Sequence, residues 1–308
     1  MSSKIDNNEL LESCLRIRLI EEKIVKEYYT DVIQSPVHLS IGQEAVAVGL
    51  VKALKKKDTL FINYRGHAYY LARNGALFPF FAELCGKQAG ISKGKAGSMH
   101  LSSASENIIG ASAVVGTSIS NAVGFALGSR YKKDKDITVV VFGDGATEQG
   151  TFHESLNFAA LYNVPILFLC EDNGLAVHSN LRERHAYDHE KFAKSYGIEC
   201  NSLYNATDPS EVFNFCNIAI NKIRENNKPQ FVTIQTKRYY SHVGVGLDFD
   251  AGYRDENEII NWKKNDPVIT YMKTINHLET IKEEINIEFE NAVKSSASLQ
   301  SEILTDVY

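Results

Sequence analysis

No apolar stretch of this 308-residue chain approaches the roughly 20 residues that a membrane-crossing helix needs. The opening MSSKIDNNEL is polar where a secretory signal requires an apolar block, so a soluble, cytoplasmic protein is expected, without membrane contact. Cysteine is sparse: Cys14, Cys85, Cys170, Cys200 and Cys216 are odd in number, and even the nearest two lie 216 − 200 = 16 positions apart. That spacing points to neither a disulfide framework nor a CxxC metal site, and reduced, mostly buried thiols are expected. Positive charge is not in surplus either. The 33 Lys plus Arg stand against 38 Asp plus Glu, a net charge of −5, which argues against nucleic acid as a partner. Pro/Gly/Ser linkers, charge blocks and internal repeats are also lacking, and the chain reads as one domain over 1–308.

What the chain does have is apolar material for a sizeable core, 44% of its residues, with 15 Tyr and 15 Phe. Apolar residues three and four apart predict a helix over 9–30 and a second over 43–54. The run ITVVVF at 137–142 is short, continuous and β-branched, as in a strand buried on both faces of a parallel sheet. A helix over 147–162 and a second apolar strand, PILFLC at 165–170, complete a crossover unit. Further strands are expected at 60–63 and 230–236, with helices over 208–224 and from Glu256 onward. The fold class is α/β, a parallel sheet flanked by helices.

In such sheets ligands bind beyond the carboxyl ends of the strands, and both polar clusters of the central unit fall there. Asp144 follows the first strand and Asn173 the second. A carboxylate and an amide carbonyl are hard oxygen donors, suited to a magnesium ion shared with substrate phosphates. Glycines on both sides of Asp144 let the backbone approach a ligand, and a helix beginning near Thr147 would point unpaired N–H groups at an anion. Taken alone, GDG could equally be a turn that caps a helix.

The surrounding text carries more. GDGATEQG at 143–150 and CEDNGLAVHS at 170–179 together resemble the thiamine-diphosphate motif. HLSIGQEA at 38–45, YRGHAYYLARNG at 64–75, GKAGSMHLSS at 94–103, KRYYSHVG at 237–244, GYRDENEIINWKKNDPV at 252–268 and the final TDVY extend that likeness in order. The whole resembles the alpha subunit of the decarboxylating first component of 2-oxo-acid, pyruvate and acetoin dehydrogenase complexes, in its diphosphate-binding half.

The resemblance implies that Asp144 and Asn173 bind magnesium through side chains and Leu175 through its carbonyl. It places Gly145 and Ala146 backbone, Tyr64 and Arg65 at the diphosphate, and the backbone of Ala113 and Val115 against the aminopyrimidine ring. His242 matches the family's active-site histidine near the cofactor, and His38 and His67 match histidines on the substrate side, while His100 reads equally as structural. Val243 stands where mitochondrial relatives carry a regulatory phosphoserine, so regulation by that route is not expected. The activating glutamate of the family lies on a beta subunit, which implies an inactive chain alone and an assembly of two alpha and two beta chains. Decarboxylation of a small 2-oxo acid with transfer to a lipoyl group of an acyltransferase component is the implied reaction. Carbon–carbon bond formation with an aldehyde or ketone acceptor is the alternative.

Overall fold

Residues 138–143 and 166–172 pair in parallel register, Thr138 beside Ile166 through Gly143 beside Glu171, and around this pair the chain builds one parallel sheet. The computed structural model describes residues 5–302 and 304–305. Its first half contains α1 (Asn7–Glu27), α2 (Glu44–Ala53), β1 (Thr59–Asn63), α3 (His67–Ala72), α4 (Leu77–Leu84), β2 (Ile108–Ser112) and α5 (Thr117–Tyr131). Next come β3 (Thr138–Gly143), α6 (Gly150–Leu161), β4 (Ile166–Asp172), the two-residue strands β5 (Leu175–Ala176) and β6 (Ser179–Asn180), and α7 (Leu181–Arg184). The remainder is α8 (His189–Ser195), β7 (Glu199–Leu203), α9 (Pro209–Asn226), β8 (Gln230–Gln235), α10 (Glu256–Lys264), α11 (Pro267–Met272) and α12 (Leu278–Lys294).

The six-stranded sheet has the order β2-β1-β3-β4-β8-β7, all parallel. Side-chain alternation divides the core into two layers. Val139, Val141, Leu167, Leu169, Val232 and Ile234 face the layer built from α1, α2, α4, α9 and α12. Val140, Phe142, Ile166, Phe168, Cys170 and Phe231 face the opposite layer of α5, α6 and α8. A sheet covered on both faces needs continuous apolar strands, and the two central runs supply them. All five cysteines are free and buried, as expected. Among the described residues, no helix is long and apolar enough to cross a membrane.

Several expectations shift. The segment after β3 is a 3-10 turn, Asp144–Glu148, and α6 starts only at Gly150, because Gln149 is extended at φ −78°, ψ 138°. The helical stretch expected from Glu256 holds three helices, broken at Asp266, whose side chain accepts the Val268 N–H ahead of α11, and again between Met272 and Leu278. Strands β2, β5, β6 and β7 and helices α3, α4, α7 and α8 were not foreseen. Most of the TDVY ending, residues 306–308, lies outside the described residues.

Candidate active site

Five strands deliver their last residues to one edge of the sheet. Asn63 ends β1 and leads to Tyr64 and Arg65; Ser112 ends β2; Asp144 follows β3, Asn173 follows β4, and the loop after β8 carries His242. These residues line a cleft of about 250 Å³ together with Gln43, Val115, Gly145, Ala146, Glu171, Leu175 and Val177. The topology thus brings both halves of the GDG and DNG signature to adjacent strand ends.

Asp144 is 1% exposed. Burial and the nearby Asp172 push its carboxyl up, and Arg184 draws it back down. The Arg184 guanidinium bridges Asp144 and Glu148, so α7 is clasped to the turn after β3. Gly145 has no room for a side chain there: a Cβ would lie 2.8 Å from the Cβ of Ala176. The Asn173 amide oxygen accepts the Leu175 N–H at 3.1 Å, and its amide nitrogen donates to Gln43 Oε1 at 3.4 Å. No group of three or more His, Cys, Asp or Glu converges on a metal position among the described residues. Asp144, Asn173 and the Leu175 carbonyl instead bring hard oxygen donors to one cleft, a donor set that suits a hard cation taking its other ligands from phosphate and water.

Arg65 is buried, and burial lowers its pKa. Its Nη1 donates to the Leu39 carbonyl at 2.8 Å and its Nη2 to the His242 carbonyl at 3.1 Å. Among the described residues no carboxylate lies within ion-pair distance of it. A buried guanidinium without a carboxylate partner is costly unless an anion completes it, and the cleft it lines is where an anion would enter. The His38, Tyr64 and His242 rings cluster beside it, with centroids 4.7 Å (His38 to Tyr64), 5.2 Å (His38 to His242) and 5.5 Å (Tyr64 to His242) apart. Burial, with the charge of Arg65, lowers His242 to about 4 and His38 to about 3. Both imidazoles are therefore neutral at neutral pH. Burial raises the Tyr64 hydroxyl.

Of the sequence-selected residues, Tyr64, Arg65, Val115, Asp144, Gly145, Ala146, Asn173, Leu175 and His242 all line the cleft. Ala113 lies in the same β2–α5 loop but not on the lining, and His38 stands just behind, in ring contact with Tyr64 and His242. His67 departs from expectation. It is fully buried, with Nδ1 2.9 Å from Glu21 Oε1 and Nε2 2.7 Å from Ser98 Oγ. With both nitrogens engaged in the protein interior, it is withdrawn from the substrate side. His100 places Nδ1 3.2 Å from the Ala111 carbonyl oxygen. Three residues had no assigned part in the sequence reading: Gln43, Glu171 and Arg184. Gln43 and Glu171 sit inside quoted motifs, whereas Arg184 belongs to none.

The model of a family described as "Dehydrogenase E1 component" matches residues 12–300. The chain is similar to the alpha subunit of acetoin:2,6-dichlorophenolindophenol oxidoreductase of Bacillus subtilis, 33% identical across 97% of this chain and 92% of that protein. It is 33% identical to the pyruvate dehydrogenase E1 component subunit alpha of Rhizobium meliloti, over 86% of this chain and 76% of the relative. The counterpart in Rickettsia felis is 31% identical over 96% and 93%. With the family's motifs at the strand ends and its match covering nearly the whole chain, this protein belongs to the dehydrogenase E1 component family.

Proposed function

We propose that this chain is the alpha subunit of a thiamine-diphosphate-dependent 2-oxo-acid dehydrogenase of pyruvate or acetoin type. It works with a beta subunit as two alpha plus two beta chains, and the acyl unit left by decarboxylation passes to the lipoyl group of an acyltransferase component. The observation that carries the reading is the cleft itself, lined by the oxygens of Asp144 and Asn173 and by a buried Arg65 that has no carboxylate within ion-pair distance among the described residues, in a chain of this family.

Asp144, Asn173 and the Leu175 carbonyl would hold magnesium, and the Gly145 and Ala146 backbone with Tyr64 and Arg65 would hold the diphosphate. Ala113 and Val115 would offer backbone to the aminopyrimidine ring. The cofactor, when bound, supplies the carbon nucleophile and the electron sink for decarboxylation. His242 would offer a neutral imidazole able to hold or release a proton in the cleft, with His38 in ring contact behind it.

Two features support a partner. The cleft volume of about 250 Å³ falls just under the roughly 300–1,000 Å³ of complete small-molecule sites. Next to it, Val114, Val115 and Phe125 are exposed, and no atom lies within 4 Å of where a Cβ of Gly124 or Gly128 would sit. This smooth, uncovered face of α5 suits a closely packed second subunit. One six-stranded sheet that draws its strands from residues 59–235, with only the short β5–β6 ribbon apart from it, supports treating the whole chain as one domain, and free, buried thiols suit the reducing cytoplasm. The relatives are oxidoreductase and dehydrogenase subunits, which favours this reading over carbon–carbon bond formation. Co-expressed with its beta partner and given thiamine diphosphate and magnesium, the chain is expected to reduce an artificial electron acceptor with pyruvate or acetoin, and alone to be inactive. An assembly that turns over neither acetoin nor any 2-oxo acid would contradict the proposal.

A further inference from the structure

Glu171 is a buried carboxylate in the cleft to which the reaction above gives no task. It is the residue before the last of β4, 4% exposed, and lies two positions ahead of Asn173. The Tyr69 hydroxyl donates to its Oε2 at 2.9 Å; burial pushes its carboxyl up, and the Gln43 side chain beside it acts in the opposite sense, favouring the charged form. A carboxylate can only accept hydrogen bonds, so Gln43 must turn its NH2 toward Glu171. That leaves Gln43 Oε1 as the acceptor for Asn173 Nδ2 at 3.4 Å. With its nitrogen engaged, the Asn173 amide presents its oxygen to the Leu175 N–H at 3.1 Å, and a carbonyl oxygen keeps a second lone pair for a cation.

The middle of this relay is held rigidly. Gly42 sits at φ +98°, and a Cβ there would lie 2.5 Å from the Lys237 carbonyl oxygen. Its N–H donates to Glu44 Oε2 at 2.9 Å, and Glu44 is ion-paired with Arg18, which also reaches Asp266 at 3.0 Å. Gln43 is 1% exposed, so its amide has no water-facing alternative.

We infer that Glu171 is a positioning residue: acting through Gln43, it sets the polarity of two successive amides so that Asn173 offers oxygen, not nitrogen, to the cation. The inference rests on the proposed cation site at Asp144 and Asn173 and adds to it what orients the neutral ligand. Outer-shell partners of metal ligands are worth about 10- to 100-fold in metal affinity.

The test titrates Mn2+, read by the resonance signal of the free ion, into the full chain assembled with its beta partner and thiamine diphosphate. Glu171→Gln keeps the shape but can donate as well as accept, and is expected to weaken Mn2+ about tenfold or more. Gln43→Met removes the relay and is expected to show a similar loss. Adding Glu171→Gln to Gln43→Met should cost nothing further, since the effect runs through one contact; a merely structural glutamate would make the losses multiply. Parent-like Mn2+ affinity in Glu171→Gln, or independent losses in the double variant, would overturn the relay alone. Should Glu171→Gln not fold, parent-like affinity in Gln43→Met overturns it equally. If the unvaried assembly binds no Mn2+, the proposed function falls and the relay with it.

Discussion

His38 and His242 meet edge-on with ring centroids 5.2 Å apart, Tyr64 packs against both and Arg65 lies alongside, and this crowding gives the chain an acid sensitivity. In the folded protein they titrate near 3 and 4 instead of 6.5. As pH falls from about 6.5 toward 4, the unfolded chain therefore takes up protons that the folded chain refuses, and stability drops; it returns as pH rises. His242→Gln removes one such group, so its thermal-denaturation midpoint should change less between pH 6.5 and 4 than that of the parent, and superimposable profiles would contradict this. Arg65→Lys loses the planar fork and at least one charge-assisted hydrogen bond, worth about 1.5–3 kcal/mol, which predicts roughly 10- to 100-fold weaker thiamine diphosphate binding by calorimetry. At this scale Asp144 and Asn173 were legible because the first polar residues after a short buried apolar run emerge at the carboxyl edge of the sheet. His67 was not: nothing local tells that Glu21, 46 positions earlier, reaches its Nδ1. Arg184 was hidden for the same reason, since its bond to Asp144 spans 40 positions and leaves no pattern in NLRER.

The central strands were readable from their apolar continuity, and β3 and β4 differ from the expected bounds by only one or two residues. Strand β7 escaped notice because ECNSL at the sheet edge is partly exposed and has neither a continuous apolar run nor a clean alternation. The turn at 144–148 shows the limit of helix periodicity: the chain must bend tightly over Gly145 beneath Ala176, and α6 can begin only beyond that bend. A second element owes its shape to one side chain. The Glu83 carboxylate, at the end of α4, accepts the N–H groups of Ser92, Gly94, Ala96 and Gly97 and so folds the glycine-rich loop that leads to Ser98 and His67. Glu83→Ala would leave these donors without an acceptor and is expected to cost about 3 kcal/mol, against about 1 kcal/mol for Glu83→Gln, by chemical denaturation. Equal losses in the two variants would show that the nest is not what holds the loop.

As a whole, the molecule is a helix-covered parallel sheet with its polar residues gathered at one edge and an uncovered face of α5 beside them. The layering was predictable from composition and periodicity, because a strand apolar on both faces demands helices on both sides. The open side of the cleft was legible only as an alternative: the small apolar run GTSISNAVGFALGS at 116–129 reads equally as a helix packed on a partner or in the subunit's own core, and the exposure of Val114, Val115 and Phe125 emerges only once the chain is folded. On the function proposed above, that opening would make cofactor binding a property of two subunits. Calorimetric titration of thiamine diphosphate with magnesium, into the chain alone, into the chain with its beta partner, and into the same assembly carrying Asp144→Ala, addresses this directly. The account predicts micromolar or tighter binding only in the unvaried assembly. Tight binding that survives Asp144→Ala, or no binding by the assembly at all, would contradict it.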